Sequence, residues 1–276
     1  MSGGHILAAL AFALGLWWFS TGAILWLTRL PRATHRWSLA AATLAATGAA
    51  AALVLTRGEA TPAGAVVAFA AAIVLWGWHE FTFLTGLITG PSIAACPAGA
   101  RGWSRFRAAA ATLMHHELAL AVTAVVVAVV TLREANPIGG WTFLVLFAAR
   151  LSSKLNLFLG APHFSVELFP AHLRHLATYL RQGPVSAFYP ASLLCLGLAA
   201  AAAAMAALGP TAGAFAGTGY ALVFALLALA MLEHAFMALP LADAALWRWA
   251  LPAAERPTPS PRHRPASAAE PVETVN

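Results

Sequence analysis

Charged residues are scarce in this chain. Asp, Glu, Lys and Arg make up 9% of its 276 residues, whereas soluble domains average about 25%. A chain that is also 61% hydrophobic has too little polar surface for a soluble fold, so we expect a membrane protein. Its two cysteines, Cys96 and Cys195, are too few for a cysteine-based zinc or iron-sulfur framework, and a structural disulfide is not expected.

The apolar residues that dominate the chain fall into helix-length stretches. Windows of about 20 apolar residues predict seven membrane-spanning helices, near 5–28, 38–55, 63–89, 108–132, 138–160, 187–208 and 213–239. The sequence therefore predicts an all-α polytopic bundle in a single transmembrane domain over residues 1–250. Residues 251–276 are rich in Pro, Ala, Ser and Thr and are expected to form a disordered, Pro-rich cytoplasmic tail.

The positions of the basic residues predict the orientation of the bundle. Fourteen of the sixteen Lys and Arg lie at or after the ends of odd-numbered spans, and Arg57 and Arg133 lie on the other side. The positive-inside rule then places the N-terminus outside the cytoplasm and the C-terminus inside it. The net charge of +6 is explained by topology and anionic lipid, so no nucleic-acid partner is expected.

Two loops on the predicted cytoplasmic side, 90–107 and 161–186, are long enough to contain structure of their own. In the second loop Pro170 favours a helix start, and Leu173, Leu176 and Leu180 then share one stripe. The pattern predicts a short helix near 170–181 that lies in the membrane interface with its apolar side towards the bilayer. Its interfacial candidate residues are His172, His175, Arg174 and Arg181.

Ionisable side chains inside the predicted spans are the strongest functional signal, because each costs a few kcal/mol at membrane depth. At about 1.5 Å per residue from the cytoplasmic ends of the spans, these groups lie roughly 9 to 15 Å deep. We therefore expect spans 3, 4, 5 and 7 to bring them together in one buried polar layer. Its members are His79, Glu80, His116, Glu117, Arg150, Lys154, Glu233 and His234.

Two interpretations of this layer follow from the residue types. In the first, Arg150 and Lys154, which share a helical face at a spacing of four, pair with Glu80, Glu117 and Glu233 in a structural network. In the second, Glu and His side chains bind a metal or a tetrapyrrole. Adjacent Glu and His residues point about 100° apart, so a metal is the weaker option, and bacteriochlorophyll or another tetrapyrrole needs only one histidine.

An ordered set of short motifs resembles one known family. The set consists of WWFSTG (17–22), WGWHE (76–80), TGP (89–91), Cys96-Pro97, HELAL (116–120), RLSSKLNLFLG (150–160), HLRHL (172–176), LEH (232–234) and LWRW (246–249). Together these motifs resemble the photosynthetic complex assembly protein 2 (PuhE-type) family of purple phototrophic bacteria.

That resemblance implies a multi-pass protein of the bacterial inner (intracytoplasmic) membrane. It implies a role in assembly of the photosynthetic reaction centre and light-harvesting complexes, or in modulation of bacteriochlorophyll supply. The partners would be subunits of those complexes or pigment-biosynthesis enzymes. Independently of the resemblance, runs of small residues such as Ala199–Ala204 favour close lateral contact between helices. No catalytic residue is implied. The alternative function is that of a membrane oxidoreductase that acts on a tetrapyrrole or isoprenoid. In that case iron would lie among Glu80, His116, Glu117, Glu233 and His234. A transporter is the third function considered and the least favoured.

Overall fold

Helices account for the regular structure of the described chain. A computed structural model describes residues 3–166, 169–240 and 243–250. Seven helices in this part are long and apolar enough to cross a membrane, which confirms the predicted bundle; the N-out, C-in orientation and the tail 251–276, outside the described residues, stay predictions. The α-helices are α1 (Gly3–Thr28), α2 (His35–Thr56), α3 (Pro62–Leu84), the short α4 (Gly102–Ala111), α5 (Met114–Thr131), α6 (Ile138–Leu159), α7 (Phe188–Leu208) and α8 (Ala214–Ala238).

Local sequence fixes where the central helices begin and end. The side chain of Thr61 accepts a hydrogen bond from the backbone N–H of Gly64 at 2.9 Å, and Pro62 occupies the first turn of α3, a position that needs no amide donor. Gly160 ends α6 with a φ of 152°, which a residue with a Cβ rarely adopts. These boundaries set the register of the two helices that carry Glu80 and Arg150.

Helices α3, α6 and α8 form the centre of the bundle. Phe69 of α3, Ile138 of α6 and Leu222 of α8 are fully buried in one apolar cluster. The alanines of α7 also serve this internal packing, since Ala200, Ala203 and Ala207 are buried against it. Only the remaining side of the Ala199–Ala204 run is therefore open to the lateral contacts expected from the sequence.

The end of the bundle where α1, α3, α6 and α8 terminate is here called the basic end. Its two long loops pack on each other, because the Tyr179 hydroxyl donates to the Ala94 carbonyl at 3.1 Å and the Thr178 hydroxyl accepts from the Cys96 amide at 2.9 Å. Arg105 of α4 donates to the carbonyl oxygens of Phe158 and Tyr179. Both loops are thus fixed to the end of α6.

Two predicted boundaries at the basic end are wrong. Helix α3 ends at Leu84, not at 89, and the predicted fourth span is interrupted at Thr112 and Leu113, between α4 and α5. Here the Thr89 carbonyl accepts a hydrogen bond from the backbone N–H of His116 at 2.9 Å, so the loop after α3 packs against the start of α5. At about 1.5 Å per residue, Glu80 and His116 lie roughly 6 Å and 3 Å from their helix ends.

The predicted interfacial helix is present as a 3-10 helix, Ala171–Tyr179, with Pro170 before its first residue. Its apolar stripe does not face the bilayer as expected. Leu173 and Leu176 are buried against Phe83 of α3, because the loop folds back over the bundle and the protein itself supplies the apolar surface.

The segment 243–250 returns to α1. Trp18 donates its indole N–H to the Leu246 carbonyl at 3.0 Å, and Trp247 donates to the Trp18 carbonyl at 3.2 Å. Gly22 allows this approach, because a Cβ at that position would overlap the Trp249 ring. The first and last motifs of the chain therefore form one contact.

Candidate functional site: a buried ion-pair network beside a cavity

Arg150 of α6 lies between two carboxylates from different helices. Its Nη1 donates to Glu233 Oε1 of α8 at 3.4 Å, and its Nε lies 3.7 Å from Glu80 Oε1 of α3. Ser153, one turn along α6, also donates to Glu233 Oε1 at 3.1 Å. One cation thus links three helices, as the high cost of an unpaired charge at membrane depth requires.

Lys154, four residues further along α6, forms the second ion pair of the network. Its Nζ binds Glu117 Oε1 of α5 and lies 5.9 Å from the centroid of the Phe83 ring. About one fifth of each partner's side chain is accessible. The structure therefore brings Glu80, Glu117 and Glu233 to the two cations of α6, the arrangement of the structural-network interpretation.

The His234 side chain forms hydrogen bonds inside the bundle through both of its ring nitrogens. It is fully buried; its Nδ1 lies 2.8 Å from the Ala230 carbonyl, and its Nε2 lies 2.9 Å from the Ser152 hydroxyl. A carbonyl only accepts, so Nδ1 carries the proton and Nε2 accepts from Ser152. Both ring nitrogens are then occupied, which makes His234 a link between α6 and α8 rather than an open ligand.

His116 differs from His234 although it is equally buried. Its ring stacks on Phe83 with a centroid distance of 4.4 Å and an interplanar angle of 28°. Neither ring nitrogen has a hydrogen-bond partner among the described residues. Buried polar atoms without partners are uncommon, so this side chain is a candidate for a functional rather than a packing role.

His79 faces α5 and α6, away from the carboxylate that follows it in sequence. Its Nε2 lies 3.0 Å from the Thr123 hydroxyl of α5, and its ring meets the Phe143 ring edge-on at 6.3 Å. Neighbouring helical residues diverge by about 100°, which explains why Glu80 reaches Arg150 and His79 does not.

The side chains proposed to surround iron do not form a ligand group. Within the ranges that the structure describes, no three His, Cys, Asp or Glu residues are placed to hold a metal ion. Glu117 is paired with Lys154 and His234 with Ser152 and Ala230. This geometry does not support the iron site of the oxidoreductase alternative.

The interfacial candidate residues all lie at the basic end, and most of them are exposed. His172 and Arg174 are exposed, and His175 is half-buried and bonds the His172 carbonyl at 3.1 Å. Partial burial and the nearby positive charge of Arg32 lower the pKa of His172 below its usual value. Arg181 is exposed. Its backbone N–H donates to the Leu157 carbonyl, and its carbonyl accepts from the Ala161 N–H.

A cavity of about 660 Å³ lies beside the network, between α1, α3, α6 and α8. Arg150, Glu80 and Glu233 line it, as does Trp17 of α1. The Trp17 ring also meets Trp247 edge-on at 5.3 Å. Trp17 therefore combines a packing contact with a place in the cavity wall.

Several residues of this site escaped the sequence analysis. Ser152 and Ser153 hold His234 and Glu233. The pair of serines within an apolar helix was a usable signal. The apolar cavity wall had none, because its residues resemble ordinary core residues.

The fold and the site define a multi-pass helical membrane protein with a partly buried network of ion pairs beside a mainly apolar cavity. The chain belongs to the family described as "Protein of unknown function (DUF3623)", which it matches over residues 4–258. It is 40% identical over 247 residues to the "Uncharacterized 30.4 kDa protein in puhA 5'region" of Rhodobacter capsulatus, covering 88% of this chain and 89% of that one. No solved structure matches it.

Proposed function

We propose that the protein is an integral inner-membrane factor for assembly of the photosynthetic reaction centre and light-harvesting complexes, or for modulation of bacteriochlorophyll supply. The observation that carries the proposal is the 40% identity, over 89% of its length, to a protein named for the puhA 5' region of Rhodobacter capsulatus. The motif set that resembles the photosynthetic assembly family supports the same conclusion.

The accessible surface of the bundle is compatible with partners inside the bilayer. Helix α5 exposes an apolar face over three turns, formed by Leu118, Val122, Val125, Val126 and Val129. Such a face contacts either lipid or another helix, and association between membrane helices depends on packing of this kind. Reaction-centre or light-harvesting subunits, or enzymes of pigment biosynthesis, are the proposed partners.

Paired charges favour a non-catalytic role for the polar layer. Three carboxylates and two cations are engaged with each other across α3, α5, α6 and α8. A network of this kind fixes the rotation of each helix about its axis and so fixes which faces the protein presents to partners.

The partner proposal is tested by purification from photosynthetic membranes in a mild detergent. An N-terminally tagged protein should co-purify with reaction-centre subunits, light-harvesting subunits or pigment-biosynthesis enzymes. A deletion strain should show altered levels of pigment-protein complexes in its absorption spectrum. Recovery of none of these proteins, together with an unchanged spectrum, would refute the proposal.

A conservative substitution separates function from folding. Glu117→Gln keeps the shape of the side chain but removes the charge that pairs with Lys154. We expect fewer pigment-protein complexes at normal abundance of the variant. Glu134→Gln, an exposed position beyond the other end of α5, is the matched control and should leave the complexes unchanged. Disappearance of the Glu117 variant from the membrane would instead assign the pair a folding role.

A further inference from the structure

The cavity is lined by four helices, α1, α3, α6 and α8, and by loop residues towards the basic end. Segment 162–165 and Phe169 line that end, together with Leu180 and Gln182. The His163 amide donates to the Met237 carbonyl at 3.1 Å, which holds the segment against the end of α8. At about 660 Å³ the space falls within the usual range of roughly 300 to 1,000 Å³ for small-molecule sites.

The wall of the cavity is mainly apolar and rich in aromatic rings, contributed by Trp17, Trp76, Phe83, Phe169, Phe236 and Trp247. Aromatic side chains favour stacked or edge-on contact with other π-systems. The lining therefore suits a flat conjugated molecule better than a saturated acyl chain.

The polar part of the wall has unused hydrogen-bonding capacity. About 37% of the Arg150 side chain and 39% of the Glu233 side chain remain accessible, and both residues line the cavity. A guanidinium has five N–H donors, of which one, on Nη1, is hydrogen-bonded to a described residue. A partly satisfied charged network at membrane depth favours a further acceptor close to Arg150.

The charge of the wall selects against anions. Arg150 contributes one positive charge, while Glu80 and Glu233 are two carboxylates that line the same cavity. An anionic ligand would meet the carboxylates as well as the guanidinium. A neutral carbonyl oxygen can accept from Arg150 without adding negative charge.

We propose that this cavity binds a neutral conjugated ring that carries a carbonyl oxygen, with the ring among the aromatic side chains and the oxygen accepting a hydrogen bond from Arg150. Membrane quinones and chlorin pigments share this chemistry. The site stands on the cavity and not on the proposed assembly role, because binding is measured on the purified chain and assembly is measured in cells.

The first experiment measures binding to the full chain in phosphatidylcholine nanodiscs with three probes. Decylubiquinone is followed by quenching of tryptophan fluorescence, bacteriochlorophyll a by its absorption and circular dichroism bands, and decylbenzene, which lacks a carbonyl, by competition with each. We expect saturable binding of one of the first two probes at about one per chain and weaker competition by decylbenzene. Whichever probe saturates identifies the source.

Two substitutions that fill the cavity test its location. Ala149→Phe places a ring in the cavity wall, and Ala148→Phe places the same ring at the neighbouring exposed position of α6. We expect Ala149→Phe to weaken binding at least about tenfold, which corresponds to roughly 1.4 kcal/mol, and Ala148→Phe to leave it within about twofold. Thr21→Phe, which fills the cavity from α1, replaces Ala149→Phe if that variant does not fold.

A matched pair of variants tests the carbonyl contact. The double variant Arg150→Gln, Glu233→Gln has the same formal charge as the native network, and Glu233→Gln alone is its control. The double variant should bind the carbonyl probe about tenfold or more weakly than the control, with little change for decylbenzene.

Three results would overturn the proposal. The first is absence of saturable binding for both carbonyl probes, which would mean that lipid or water fills the cavity. The second is equal weakening by Ala149→Phe and Ala148→Phe, and the third is unchanged affinity after loss of Arg150. Normal pigment-protein complexes in cells that carry Ala149→Phe would bear on the assembly role and not on this site.

Discussion

Two fully buried histidines, His116 and His234, differ in the hydrogen bonds that they make. His234 bonds Ser152 and the Ala230 carbonyl, whereas neither nitrogen of His116 has a partner in the described chain. Removal of a hydrogen-bonded group leaves its buried partners without a hydrogen bond and so destabilises the protein. Removal of an unpaired polar group instead relieves the cost of having desolvated it. The same residue type should therefore respond in opposite ways to the same substitution.

His234→Leu is expected to lower the free energy of unfolding by about 1 to 3 kcal/mol, and His116→Leu to change it by less than about 0.5 kcal/mol or to raise it. Reversible denaturation of the purified variants in mixed micelles measures both values. A large loss of stability in His116→Leu would show that its nitrogens have partners in the membrane. Normal stability with loss of pigment-protein complexes would assign His116 a functional role.

His172 lies at the basic end, outside the spans, and its pKa is lowered. Partial burial and Arg32 lower its pKa, so the folded protein binds this proton less readily than the unfolded chain does. The contribution to stability is then present above the unfolded pKa of about 6.5 and is lost as pH falls below it.

NMR of histidine-labelled protein should therefore place the protonation midpoint of His172 below about 6.5. Arg32→Gln removes the nearby positive charge and should raise that midpoint. The matched control is Arg36→Gln, another exposed arginine of the same region. A midpoint at or above the usual value in the native protein would contradict the prediction.

Among the elements, α1 depends on a contact with the other end of the chain. The indole N–H of Trp18 donates to the Leu246 carbonyl, and the indole N–H of Trp247 donates to the Trp18 carbonyl. Phe19 stacks on Trp249 at 6.4 Å. Gly22 leaves room for the Trp249 ring. The spacing of these residues within each motif is therefore explained by helix-to-segment packing and needs no ligand.

Gly22→Ala is expected to displace Trp249 and to lower the free energy of unfolding by about 1 to 3 kcal/mol, as overpacking does. Limited trypsin digestion should then cut after the exposed Arg248 more rapidly. Gly15→Ala on the same helix is the control, because its Cβ would meet no atom within 4 Å; its stability should be unchanged or higher. Trp249→Ala should abolish the effect of Gly22→Ala, and persistence of the effect would place its cause elsewhere.

For the whole molecule, the orientation in the membrane is open to direct measurement. Gly58 lies between α2 and α3, and Gly183 lies in the loop before α7 at the basic end. A Cβ at either position would meet no atom within 4 Å, so cysteine can replace both without strain. The positive-inside rule predicts that the two positions face opposite compartments.

In a Cys96→Ser, Cys195→Ser background, Gly58→Cys should react with a membrane-impermeant maleimide in intact cells. Gly183→Cys should react only after the membrane is permeabilised. The reverse pattern would show that the basic end faces outward, and reaction of both in intact cells would contradict the seven-span topology.

Much of the secondary structure was predictable from composition and local sequence pattern. The seven spans follow from apolar length, and the location of ionisable residues within them follows directly from the sequence. The start of the 171–179 helix after Pro170 also has a local cause. The helix break at Thr112 and Leu113 was missed, since both residues are compatible with an apolar span and the break depends on the loop that packs there.

The sequence by itself determined that this is a seven-span helical membrane protein with costly ionisable groups in four of its spans, because hydrophobic length and the cost of burying charge are local properties. Only the tertiary structure decided that Arg150 meets Glu80 and Glu233, that Lys154 meets Glu117, and that a cavity lies beside them. These features depend on how each helix is rotated about its axis and how closely it packs against its neighbours, and the periodicity of one helix carries no information about its partners.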